Sequence, residues 1–170
     1  MRQMAVRAKV KAADQTHELV AFVQKRLANR ADPRKAAAMA AYMKTSMPFY
    51  GVPKPAREEV SREAKQRFAV FNRRDYERAV LALWKLPHRE EKYFAIDMAR
   101  AWRDFIRPES LPLYRRLIAE GAWWDIVDEV AAHLIGNLLL NHREKIAPMM
   151  DQWIADNHLW IRRAAIISPL

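Results

Sequence analysis

The chain contains no cysteine and only three glycines in 170 residues. The first absence excludes disulfides, thiolate nucleophiles and cysteine-based zinc sites. The second, together with almost no apolar/polar alternation, argues against a strand-rich fold built on tight hairpins. Histidine is sparse as well: five residues are scattered without close ligand spacing, so no metal site and no cofactor are expected. No apolar run approaches the ~18 residues that read as a membrane-spanning helix, and the N-terminus lacks the continuous apolar stretch of a secretory signal. No membrane partner is therefore expected, and the cytoplasm is the expected location.

Acidic residues are scarce in one half of the chain. Residues 1–74 hold 17 basic and 6 acidic residues, whereas residues 75–170 hold 13 and 14, so the net charge of +10 arises in the first half. A field of that sign favours a polyanion, and nucleic acid is the first candidate because each phosphate neutralised releases counterions. The alternatives are a charge that serves solubility, and a flexible basic arm over residues 1–13 that carries Arg2, Arg7, Lys9 and Lys11.

What is abundant is apolar spacing at i, i+3, i+4 and i+7, which predicts an all-α chain. Helices are expected near residues 15–30, 33–46, 55–68, 75–86, 89–105, 111–120, 123–140, 143–156 and 158–168. Proline marks several starts: Asp32-Pro33, Lys54-Pro55, and Ser110 followed by Pro112. Leu86-Pro87 and Glu120-Gly121 read as helix ends. Short connections make neighbours antiparallel, which gives stacked helical hairpins in one domain over residues 1–170. A weak repeat fits this stacking, since Trp84 with Ala95 eleven residues later is echoed by Trp153 with Ala164, an offset of 69 residues. Repeats of this kind point to a HEAT-like or armadillo-like solenoid, with an ordinary helical bundle as the alternative.

Three segments carry residue types suited to chemistry. In Trp123-Trp124-Asp125-Ile126-Val127-Asp128, helical spacing puts Trp123, Val127, Val130 and Leu134 on one apolar stripe and Trp124 with Asp128 on the next. A carboxylate beside an indole suits a cationic ligand, although tandem tryptophan is more often core. In Trp160-Ile161-Arg162-Arg163-Ala164-Ala165, small residues permit close packing while arginine offers a planar fork for phosphate. The bland alternative is an arginine paired with a carboxylate. In Tyr42-Met43-Lys44 and the loop from Pro48 to Arg57, Lys54 and Arg57 come to a helix N-terminus whose amides can also receive phosphate.

These segments, in this order, resemble the AlkD family of DNA alkylation repair glycosylases. The resemblance is carried by Tyr42-Met43-Lys44 with Phe49-x-Gly51, Leu83-Trp84-x-Leu86-Pro87, Trp123-Trp124-Asp125-x-Val127-Asp128 and Trp160-x-x-Arg163-Ala164-Ala165-Ile166. It runs from about residue 33 to the last residue and implies a HEAT-like solenoid whose basic concave face wraps double-stranded DNA containing alkylated bases. The implied activity is that of a monofunctional glycosylase removing cationic N3- or N7-alkylated purines. By the same resemblance, Asp128 stabilises an oxocarbenium-like sugar and positions water, Trp124 meets the cationic lesion, and Arg163 holds the backbone phosphate beside it. Tyr42, Lys44, Lys54, Arg57 and Arg162 are the implied DNA contacts. The location this implies is cytoplasmic, on the nucleoid when DNA is bound.

Two departures qualify the resemblance. Relatives continue for several more helices, one of which adds a further tryptophan, whereas this sequence ends at Ser168-Pro169-Leu170; an exposed apolar end that self-associates is the expected consequence. Pro53-Lys54 also stands where a polar, small pair is expected, which weakens the case for phosphate contacts from that loop. A non-catalytic module for distorted duplex DNA and a protein-binding scaffold are the competing functions.

Overall fold

A computed structural model describes residues 2–169, with side chains from residue 15 onward. The arm expected at residues 1–13 lies outside the described side chains. Among the described residues there is no strand, and the fold is all-α. The chain forms two compact units, residues 1–101 and residues 102–170.

The first unit holds α1 (Arg2–Ala28), α2 (Pro33–Met43), α3 (Lys54–Arg67), α4 (Arg73–Trp84) and α5 (Arg89–Ala101). Helix α2 starts where Asp32-Pro33 predicts: the Asp32 carboxylate accepts from the Arg34 and Lys35 amides at 3.0 and 3.2 Å. The hydrogen bond from the Lys35 backbone leads the causes that hold this carboxyl below its ordinary range. Helix α3 begins at Lys54, with Pro55 in its first turn. Apolar residues at helical spacing, Leu19, Val23 and Leu27 on α1 with Val60 and Ala64 on α3, are fully buried. They pack with Tyr76, Val80 and Leu83 of α4 and Phe94, Ala95 and Met98 of α5 as the unit's core.

The second unit holds α6 (Leu111–Gly121), α7 (Trp124–Val130), α8 (Gly136–Ile154) and α9 (Leu159–Ile167). Helix α9 packs on α6, α7 and α8, and its inward residues Ile161, Ala164 and Ala165 are buried. Small side chains there allow close approach. A Cβ on Gly136 would stand 3.1 Å from the Ser168 carbonyl oxygen, so the start of α8 and the end of α9 nearly touch.

The helix expected over residues 123–140 is interrupted. Residues Ala131–Ile135 form a π turn, in which the Gly136 amide donates to the Ala131 carbonyl five residues back. The break expected near residues 141–142 is a kink inside α8, where His142 leaves helical geometry at φ −143° and ψ 40°. Next to it the Asn141 side-chain amide donates to the Asn137 carbonyl at 2.8 Å, competing for an acceptor of the backbone ladder. The echo between Trp84 and Trp153 has a structural counterpart. Each tryptophan lies in the last turn of the first helix of a contacting pair, α4 with α5 and α8 with α9, and Ala95 and Ala164 are buried in the second.

Candidate functional site

The site in the second unit begins with a strained junction. Gly121 ends α6, but the left-handed residue is Ala122, at φ 35°. The chain then extends through Trp123, whose carbonyl accepts from the Ile126 and Val127 amides and so opens α7. The Trp123 ring packs against Trp160 of α9, with centroids 5.8 Å apart and planes tilted by 50°. Trp123 is half-buried rather than core, and its indole N–H is enclosed without an acceptor. Val127, Val130 and Leu134, the rest of the expected apolar stripe, are fully buried.

With that stripe turned inward, the neighbouring one reaches solvent. Trp124 is 40% exposed, and Asp128 follows one turn later. Across from them, Arg163 of α9 forms a two-pronged ion pair with Asp128: Nε donates to Oδ1 and Nη2 to Oδ2, both at 2.7 Å. The side chains of Arg163 and Asp128 remain 42% and 34% exposed. The hydrogen bond to Asp128 is the leading cause that raises the Arg163 pKa. Sequence reasoning placed Asp128 against a lesion and Arg163 against a phosphate; the fold brings the two together and pairs them.

Arg162 is otherwise engaged. Its Nη1 donates to the Asp156 carbonyl at 2.7 Å and the Asn157 carbonyl at 3.1 Å, tying down the turn that leads into α9. The Nη1 end of a guanidinium expected to meet DNA thus serves the fold.

In the first unit, Tyr42 is 72% exposed near the end of α2 and Lys44, which closes that helix in a left-handed conformation, is also exposed. Lys54 is exposed at the start of α3. Arg57, also expected to meet DNA, is 8% exposed, its Nε donates to Asp97 Oδ2 at 3.0 Å, and its guanidinium lies 4.7 Å from the Tyr93 ring centroid. A side chain held this way is not offered to a phosphate.

The loop before α3 is likewise anchored from within. The buried Glu90 carboxylate accepts from the Tyr50, Gly51 and Val52 amides at 3.0, 2.7 and 3.0 Å. Glu91 accepts from the Tyr50 hydroxyl at 3.0 Å, and Tyr50 stacks on His88 with centroids 3.8 Å apart. Burial, then the Glu91 charge, pushes the Tyr50 phenol above its ordinary range. Gly51 is required here: its φ is +84°, and a Cβ would stand 2.1 Å from the Asp32 carbonyl oxygen. The amides of this loop therefore already hold an anion, one supplied by α5.

The model of the DNA alkylation repair enzyme family matches residues 23–170. The chain belongs to that family. A solved structure of a predicted DNA alkylation repair enzyme from Enterococcus faecalis matches this family member with a TM-score of 0.74 at 25% identity, over 81% of this chain and 64% of its own. The chain thus spans less than two thirds of that protein's length. A search of curated proteins finds no match. For this member of the DNA alkylation repair enzyme family, Glu90, Glu91, Tyr93 and Asp97 are the residues that sequence reasoning overlooked. The adjacent glutamates signal the first turn of a helix. Nothing local signals that they grip a loop about forty residues away.

Proposed function

We propose that the protein is a monofunctional DNA glycosylase that removes cationic N3- or N7-alkylated purines from duplex DNA by hydrolysing the N-glycosidic bond. The observation that carries this reading is Trp124 and Asp128 one turn apart on α7, both reaching solvent, with Arg163 beside them. The alkylated purine carries a positive charge, so it leaves with the bonding electron pair as a neutral base and needs little help from a general acid. What remains is an oxocarbenium-like sugar. Asp128 stabilises that cation and orients the water that adds to it, while the Trp124 π-face meets the cationic base. Tyr42, Lys44 and Lys54 are the proposed contacts to the DNA backbone, and the proposed location is the cytoplasm, on the nucleoid when DNA is bound.

The deciding experiment is base release from duplex DNA carrying 7-methylguanine. Asp128→Asn keeps the shape and removes the charge, so the rate should fall on the order of 10²-fold, about 3 kcal/mol of transition-state stabilisation, with binding to undamaged duplex retained. Equal rates for Asn and Asp would remove Asp128 from the mechanism. A second reading, a non-catalytic module for distorted duplex DNA, is favoured by the engagement of both Asp128 oxygens by Arg163. It takes over if no base is released at all.

Self-association through the last helices is proposed as well, because Leu140, Ile154, Leu159 and Ile166 are exposed there. Sedimentation should show a concentration-dependent increase in mass that Leu159→Lys with Ile166→Lys abolishes. A constant monomer mass overturns it.

A further inference from the structure

The proposed chemistry needs an uncompensated carboxylate, and the fold gives Asp128 a counter-ion. Both oxygens are taken by the Arg163 fork at 2.7 Å, so the pair presents no net charge to a cationic base. The pair is also open to water, at 42% and 34% side-chain exposure, and ion pairs of that kind are weakly held and readily exchanged. A phosphodiester is an anion whose two free oxygens accept an arginine fork as a carboxylate does. Arg162 is less available to a phosphate than Arg163, since its Nη1 is bound to the Asp156 and Asn157 carbonyls. Trp124, one turn before Asp128, is 40% exposed.

We propose that Arg163 is a removable counter-ion: the phosphodiester beside the damaged base takes the guanidinium and leaves Asp128 negative, so that the site accepts a cationic purine only within a polynucleotide. This rests on the glycosylase reading and adds a selection rule to it. A free cationic nucleoside brings no phosphate to draw Arg163 away, and it meets a neutral pair. An undamaged stretch of DNA exchanges the arginine but offers no cation to the exposed carboxylate. Base and backbone are therefore read together by one side-chain exchange.

The test measures binding of 7-methylguanosine in mildly acidic buffer, where its purine is cationic, to the parent protein, Arg163→Ala, Arg163→Gln, and Arg163→Ala combined with Asp128→Asn. Both single variants should bind the nucleoside at least about tenfold more tightly than the parent, and the double variant should lose the gain. No gain in either single variant, or a gain that survives loss of the carboxylate, overturns the proposal. Because both side chains lie at the surface, unchanged circular dichroism should accompany the substitutions.

A second arm follows the Arg163 Nε–H resonance during titration with undamaged duplex. It should move away from its carboxylate-bonded position as the duplex saturates, and the Asp128 carboxyl signal should shift towards that of Arg163→Ala. Signals that stay in place at saturation overturn the exchange. Base release from 7-methylguanine duplex by the parent is measured alongside. Its absence would sink the glycosylase reading, whereas the nucleoside and resonance arms decide the counter-ion proposal by themselves.

Discussion

Arg57 and Arg163 each meet an aspartate, but water treats the two pairs differently. Arg57 and Asp97 have side chains only 9% and 16% exposed, so removing the arginine leaves a largely buried carboxylate without its counter-ion. Arg57→Ala should therefore cost about 3 kcal/mol of stability, read as a lower denaturant midpoint, and leave the salt dependence of DNA binding unchanged. Lys44 and Lys54 should behave in the opposite way. Either one replaced by alanine should leave the midpoint nearly unchanged and reduce the slope of log affinity against log salt by roughly 0.9. A flattened slope with Arg57→Ala, or none with both lysines, would reverse these assignments. The distinction was not legible in the sequence. Arg57 sits three residues after Lys54 at the same helix start, and only Asp97, forty residues on, makes it a structural residue. Trp124 and Asp128 were legible because their relation is local, one helical turn.

Elements show the same division between local and distant causes. The start of α2 was readable because Asp32-Pro33 contains its own cap, and the kink in α8 at His142 falls within the boundary expected at residues 141–142. The π turn at Ala131–Ile135 was not, since it keeps every residue helical and only inserts one extra position. Its effect is rotational: side chains after it are displaced by about 100° around the axis relative to an uninterrupted helix. Leu134 and Leu138 are nonetheless buried together with Val127 and Val130, so the core has been fitted to that offset. The junction before α7 was read as a glycine stop, yet the left-handed residue is Ala122. Ala122→Gly should relieve that backbone and stabilise the protein by roughly 1 kcal/mol, measured by chemical denaturation. A destabilised variant would mean that the entropy lost on fixing glycine outweighs the strain, and a slower variant of normal stability would tie the stiffness of Ala122 to the placement of Trp124.

At the scale of the whole molecule, the uneven charge acquires a sharper boundary once the two units are known. Residues 1–101 hold 22 basic and 11 acidic residues, and residues 102–170 hold 8 and 9, so the excess of +11 belongs to the first unit and the second is close to neutral. Trp124, Asp128 and Arg163 all belong to the neutral unit. If the proposed chemistry occurs there, capture and reaction are separate tasks on one covalent chain, and DNA held by the first unit is presented to the second at a high effective concentration. Raising the salt should then depress the rate steeply when DNA is limiting, through capture. The single-turnover rate at saturating DNA should change little, and a saturated rate that falls as steeply would place the salt-sensitive contacts at the reacting centre instead. The neutral unit also has little of its own charge with which to hold the product. On the glycosylase reading the product is an intact strand carrying an abasic site, and its release is governed chiefly by the charge of the first unit, so the dwell time on DNA, and with it the choice between scanning onward and waiting at a finished site, is set by residues other than those proposed to meet the lesion.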